Sequence, residues 1–236
     1  MRRLIALLQF TTILPLGKPE DFEEFAKASY LYPIAGYIIG GIAALATLWI
    51  ASPSIAAAVA IAVVLLLSGC NHFDGLLDLG DGLMAHGDRE KRIRAITDQK
   101  TGAGGVAMGL SVTLLLFAGL MASASVAIAI LIGEVGAKFS MALMTAAGRP
   151  FTEGIHSYLH NFSKPFFPFI SALLCLPLLL LPIAPVKLAL AAIVMIVCPA
   201  ALLLLSEHLF GGVNGDITGA GGELTRALIV VALAIV

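Results

Sequence analysis

Asn71-His72-Phe73-Asp74-Gly75-Leu76-Leu77-Asp78-Leu79-Gly80-Asp81-Gly82 decides how this chain is read. Asp74, Asp78 and Asp81 are offset by four and seven residues, which stacks them along one stripe of a helix. The surrounding chain is apolar enough to enter a membrane, where each carboxylate at the centre of a spanning helix costs roughly 2.5–3.5 kcal/mol. Three of them together repel one another and call for a cation or a cationic substrate. The spacing therefore predicts a site.

Outward from that stretch, composition fixes the class. Of 236 residues 59% are hydrophobic and only 12% charged, with a mean hydropathy of +1.00, whereas soluble domains carry about 25% charged residues. Apolar runs approaching the roughly 20 residues that cross hydrocarbon predict an all-α, polytopic membrane helix bundle in one domain, 1–236. Spans are expected at about 31–50, 54–72, 104–122, 124–147, 166–183, 187–209 and 224–236, about six or seven in all. The last has 13 residues, too few to cross alone. Met1-Arg2-Arg3 and the apolar residues after them lack a small-residue cleavage site before Gly17, so they read as a retained interfacial or re-entrant helix. Glu20 to Lys27 suits a short surface helix. Cys70, Cys175 and Cys198 lie in or beside apolar segments without zinc spacing and read as small buried hydrophobes.

Lys and Arg set the expected orientation. Arg2, Arg3, Lys18 and Lys27 precede the first span, Arg89 to Lys100 follow the second, and Arg149 and Lys164 flank the loop after the fourth. Two crossings separate each group, which puts all of them in the cytoplasm; Lys187 falls outside. Alternation sends Gly211 to Glu223 to the same side. The polar clusters then converge on one cytoplasmic face of the cell membrane.

Asp74, Asp78, Asp81 and Asp98 form an oxygen-only donor set without paired cysteines or histidines, which favours Mg2+, with Mn2+ as a substitute. Such ions clamp the attacking and leaving oxygens of phosphoryl transfer. The bland alternative, pairing with Arg89, Arg92 or Arg94, is disfavoured because no base is interleaved among the three acids. Asp98-Gln99-Lys100-Thr101-Gly102-Ala103-Gly104-Gly105 opens the third span, where backbone N–H groups at a helix start suit phosphate. Arg149 is a candidate phosphate fork. His156 and His160 read as solvated surface side chains, and Glu134 and Lys138 as a self-neutralising pair within the fourth span. Gly211-Gly212-Val213-Asn214-Gly215-Asp216-Ile217-Thr218-Gly219-Ala220-Gly221-Gly222-Glu223 is richer in acids and glycines than a plain turn requires and reads as substrate-binding.

His72 to Leu83 resembles the cobalamin synthase family, the adenosylcobinamide-GDP ribazoletransferases, whose pattern there is roughly H-x-D-G-L-x-D-x-x-D-G-L. Thr97-Asp98-Gln99-Lys100-Thr101-Gly102 is similar to the family's following K/T-D-x-x-x-G segment. Gly211 to Glu223 matches its GG-x-[TN]-GD-x-x-GA-x-x-E signature, and Tyr32 to Gly36 is similar to its Y-x-P-x-x-G, with Tyr32 directly before Pro33. The resemblance covers nearly the whole chain. One departure is Gly104, where the family commonly has an aromatic residue.

The resemblance implies a magnesium-dependent transferase that joins adenosylcobinamide-GDP to alpha-ribazole or its 5'-phosphate, with GMP leaving. It implies Asp74, Asp78, Asp81 and Asp98 as metal ligands, with Asp81 and Asp98 also as catalytic candidates. His72, Lys100, Gly102, Arg149, Asn214, Asp216 and Glu223 are its candidate substrate contacts. The partners expected are the two substrates and the bilayer, without nucleic acid; an oligomer is left open.

Two other classes compete. Asp78-Leu79-Gly80-Asp81-Gly82-Leu83-Met84-Ala85-His86 resembles the opening of CDP-alcohol phosphotransferases, but His86 stands where they carry arginine. A cation transporter would carry mid-membrane acids on several spans, and Glu134, beside Lys138, is the one expected here.

Overall fold

The computed structural model describes residues 1–235. In chain order the helices are α1 (Arg2–Thr11), α2 (Phe22–Ala26), α3 (Tyr32–Thr47), α4 (Pro53–Leu67), α5 (Asn71–Met84), α6 (Arg89–Ile96), α7 (Ala103–Ala122), α8 (Val126–Ala147), α9 (Ile155–Phe162), α10 (Phe167–Cys175), α11 (Pro185–Phe210) and α12 (Gly215–Ile235). Short 3-10 turns precede α3 and extend α10. Five helical segments are long and apolar enough to cross a membrane, and seven if each bent pair, α4 with α5 and α9 with the extended α10, counts as one span.

Burial sorts these spans into layers. In the most apolar window of α8, 78% of residues are buried, and in α12, 72%, against 22% for α11 and 33% for α7. The bundle is therefore built around α8 and α12, while α7 and α11 turn most of their apolar surface outward, as lipid-facing helices do. The long apolar run of α11 forms a helix through Pro199, and Lys187 near its start donates to the Leu233 carbonyl at 2.7 Å, tying together the ends far from the aspartates.

Two boundaries differ from the sequence expectation, each for a physical reason. The last span begins at Gly215, not near 224, and its 21 residues are enough to cross. Asn214 starts it: the side-chain oxygen accepts the Ile217 N–H at 3.0 Å. Glycines at 215, 219, 221 and 222 each disfavour helix by up to about 1 kcal/mol, but Gly219, Gly221 and Gly222 are buried against α5 and α8, and tertiary packing overrides propensity. The second difference is a 95° bend between α4 and α5. Gly69 and Cys70 take left-handed backbone, at φ +61° and +60°, and turn the aspartate helix away from the span before it.

The N-terminal segment forms α1 as expected. Its Phe10 stacks on Phe25 at 4.6 Å between ring centroids and meets Phe22 edge-on at 5.2 Å, and Phe22 in turn contacts Tyr158 of α9. Asp21 caps α2 by accepting the Glu23 N–H at 2.9 Å. The cysteines are free; Cys70, at the α4–α5 bend, is exposed instead of buried, and Cys175 and Cys198 are half-buried.

Candidate active site

The site grows from the contact between α5 and the start of α12. Gly75 makes it possible: a Cβ there would lie 2.8 Å from the Asp216 Cα, too close for any side chain. The approach brings Asp216 within electrostatic reach of Asp78 and Asp74. Asn214 orients it, donating from Nδ2 to Asp216 Oδ2 at 2.7 Å. Asp74 is exposed, and Asp78 and Asp216 are half-buried. Among the described residues none of these acids is ion-paired with a base. Arg92 instead spends its guanidinium on the Gly82 and Leu83 carbonyls at 3.2 and 2.8 Å, closing the C-terminal end of α5.

Three acids from two helices without a counter-charge are a donor set for a hard cation. Their chemistry fits Mg2+ or Mn2+, which take carboxylate oxygens and complete their shell with water and substrate phosphate. Among the described residues no three acidic, histidine or cysteine side chains already close around one point. An ion held here would take a few of these carboxylates and complete its shell with water and substrate.

Asp81 makes contacts that the stripe did not announce. Oδ2 accepts the Gly102 N–H at 2.6 Å and Oδ1 the Gly105 N–H at 2.8 Å. It caps α7 from another helix and occupies two of the backbone donors the sequence offered to phosphate, those of Gly102 and Gly105. Asp98 also departs from expectation. It is exposed, and its Oδ1 accepts the neighbouring Lys100 N–H at 3.0 Å, a local turn. The fourth acid beside the stripe is Asp216, which pattern reading had assigned to substrate alone. Replacing Asp81 by Ala is expected to cost about 1–2 kcal/mol of stability through the lost cap. A lower thermal midpoint in detergent would register it, and an unchanged midpoint would contradict the capping role.

A cavity of about 300 Å³ opens beside the acids, lined on its polar side by His72, Asp74, Thr145, His156 and Asp216. Phe10, Tyr32, Met141 and Leu159 contribute to the apolar part of its lining. His156, expected on the surface, is 3% exposed: Nε2 lies 3.0 Å from the Gly148 carbonyl and Nδ1 3.0 Å from the Thr218 hydroxyl. No local signal announces this, because its burial depends on α12 packing beside α9. The Thr145 hydroxyl, also missed, is buried without a protein partner.

The two polar loops meet as the sequence suggested. Val213 N–H donates to the Arg149 carbonyl at 2.8 Å and Phe151 N–H to the Val213 carbonyl at 3.3 Å. Arg149 is thereby held beside the start of α12 with its side chain exposed. Lys100 is also exposed, at the loop that leads into α7.

Glu223 lies elsewhere than expected. It is 4% exposed inside the bundle and accepts both arms of Arg226, at 2.5 and 2.8 Å. The same guanidinium reaches Glu134 through Nε at 2.5 Å, while Lys138 stands 3.9 Å from Glu134 and 3.2 Å from His72 Nδ1. Two carboxylates and two cations thus form a neutral buried network, in which the chief partner of Glu134 is Arg226 instead of Lys138. Arg226 escaped the sequence reading, although its place three residues after Glu223 was the available signal.

Comparison with known proteins adds a family. The model of the family described as Cobalamin-5-phosphate synthase matches residues 3–234. A protein of Archaeoglobus fulgidus named adenosylcobinamide-GDP ribazoletransferase is 35% identical, over 100% of this chain and 98% of its own. Proteins of that name from Methanococcoides burtonii and Halorubrum lacusprofundi are 31% and 34% identical, over 96% and 93% of this chain and 89% and 91% of theirs. No solved structure matches.

Proposed function

The chain belongs to the cobalamin-5-phosphate synthase family, and on that premise we propose that it joins adenosylcobinamide-GDP to alpha-ribazole or its 5'-phosphate. The acceptor hydroxyl oxygen bonds to the corrinoid-side phosphorus of the diphosphate, the bond to GMP breaks, and adenosylcobalamin or its 5'-phosphate forms. The observation that carries this reading is the meeting of Asp74, Asp78 and Asp216, unpaired with any base, with Asp74 and Asp216 lining a partly polar cavity. Phosphoryl transfer is chiefly a matter of charge and positioning, which is what such an arrangement supplies.

In this reading Asp74, Asp78 and Asp216 would hold a magnesium ion, with manganese as a substitute. Held there, the ion would supply charge neutralisation to the diphosphate. Asn214 fixes the Asp216 carboxylate, and an acid of this face takes the proton of the attacking hydroxyl. Arg149 and Lys100 are the proposed diphosphate contacts from the two loops. Asp81 supports the reaction by anchoring α7 to α5. We further propose that this face lies in the cytoplasm and the bundle in the cell membrane, supported by the clustering of Lys and Arg on the loops that flank the acids.

The competing readings have specific weaknesses. His86 stands where the resembling lipid transferases carry arginine. For a transporter, Glu223 adds a second buried acid on another helix, but Arg226 and Lys138 neutralise both acids. The test compares GMP release from adenosylcobinamide-GDP plus alpha-ribazole with CMP release from CDP-diacylglycerol plus an alcohol, using purified protein in detergent. Both donors present a diphosphate, so discrimination comes from pockets that read the base and the ring, where unpaired polar groups penalise the wrong substrate. GMP release alone is expected; comparable or faster CMP release would overturn the assignment.

A further inference from the structure

The buried charges sit too deep to touch a substrate diphosphate, yet one edge of their network ends on a cavity residue. His72 is 7% exposed and lines the cavity. Its Nδ1 lies 3.2 Å from Lys138 Nζ, and among the described residues its Nε2 has no hydrogen-bond partner. Lys138 itself is held in place: Glu134 is 3.9 Å away and the Met141 sulfur 4.0 Å.

Charge balance decides which way the proton points. Glu134 and Glu223 carry two negative charges, and Arg226 supplies one positive. A neutral cluster needs Lys138 as the ammonium, because an uncompensated charge in this interior costs several kcal/mol. An ammonium has three donors and no acceptor, so the Nδ1 facing it must accept. His72 is then the neutral imidazole with its single proton on Nε2, the nitrogen left to the cavity.

We propose that the Glu134–Arg226–Glu223–Lys138 network positions His72, fixing the tautomer whose Nε2–H donates to an oxygen of the reacting substrate beside Asp74. Lys138 is the positioning residue and His72 the contact. An outer partner that fixes a histidine tautomer is worth about 10–100-fold in sites of comparable design. The target oxygen is on the diphosphate or on the acceptor. A donor to charge developing on the phosphoryl group lowers kcat when lost, whereas a donor to a resting acceptor hydroxyl raises KM for that acceptor.

The inference rests on the transferase reading for its consequence but not for its geometry, so its test has two readouts. The first is nitrogen NMR of the full chain labelled on its five histidines, with the His72 signal assigned by its loss in His72→Gln. The Nε2–H tautomer is expected in the native protein. It is expected to be lost or mixed in Glu134→Gln/Lys138→Met, a pair that removes one charge of each sign and keeps the network neutral where Lys138→Met alone could fail to fold. The second readout is turnover. Glu134→Gln/Lys138→Met is expected to fall about 10–100-fold. His72→Gln, whose amide nitrogen stands near the Nε2 position, is expected to keep much more activity than His72→Asn. In the His72→Gln background, adding Glu134→Gln/Lys138→Met is expected to cost little more.

An Nδ1–H tautomer in the native protein, or an unchanged His72 signal in the double variant, would overturn the proposal. So would an equal loss of turnover in both His72 backgrounds, since Lys138 would then act by another route. If native protein releases no GMP at all, the transferase reading fails while the NMR arm still decides the tautomer.

Discussion

Asp78→Asn is expected to lower transfer by about 10³-fold, the scale on which removing a group that stabilises transition-state charge is felt, while the protein stays folded. Asp78 lies between Asp74 and Asp81 on α5 and faces Asp216 from α12, so its charge is the one most crowded by like charges. Removing it relieves that repulsion and leaves no hydrogen bond broken, because the protein supplies Asp78 with no base and no cap. Stability should hold or rise. Turnover of purified Asp78→Asn beside its thermal midpoint separates the two effects. A loss of activity that merely tracked unfolding would make the acid structural.

Arg226→Met is expected to have the opposite signature. Its guanidinium, 2% exposed, is bidentate to Glu223 and reaches Glu134 as well. Removing it strands two carboxylates in the bundle with Lys138 as their one cation, and breaking a buried pair from one side costs about 3–5 kcal/mol. The thermal midpoint should fall markedly. Glu223→Gln/Arg226→Met removes one charge of each sign and is expected to recover most of the loss. If the single variant melted like the native protein, the network would contribute nothing to stability.

Much of this was legible because it is periodic. The four- and seven-residue offsets of Asp74, Asp78 and Asp81 and the apolar runs are local patterns, and apart from the last span, which begins at Gly215, the helices observed lie on the expected runs. The misses share a different cause. Glycines at 219, 221 and 222 read as a loop because propensity is local, while the packing on α5 and α8 that makes them helical is not. His156 read as surface because the loop around it is polar; Thr218, sixty-two residues away, buries it. Asp81 matched its motif and its stripe, and only three-dimensional contact with Gly102 and Gly105 reveals that both its oxygens are engaged. Glu223 sits in a glycine-rich signature that suggested a ligand, yet its partner is Arg226 on the next turn of the same helix.

The central claim is that Asp74, Asp78 and Asp216 collect a hard divalent cation around the substrate diphosphate. It is tested most directly by GMP release from adenosylcobinamide-GDP and alpha-ribazole after EDTA treatment, with divalent ion then returned. The carboxylate-only donor set predicts no turnover in EDTA, recovery with Mg2+ or Mn2+, and failure of either ion to rescue Asp78→Asn at the concentrations that saturate the native protein. Full turnover by the EDTA-treated protein without added divalent ion would contradict it.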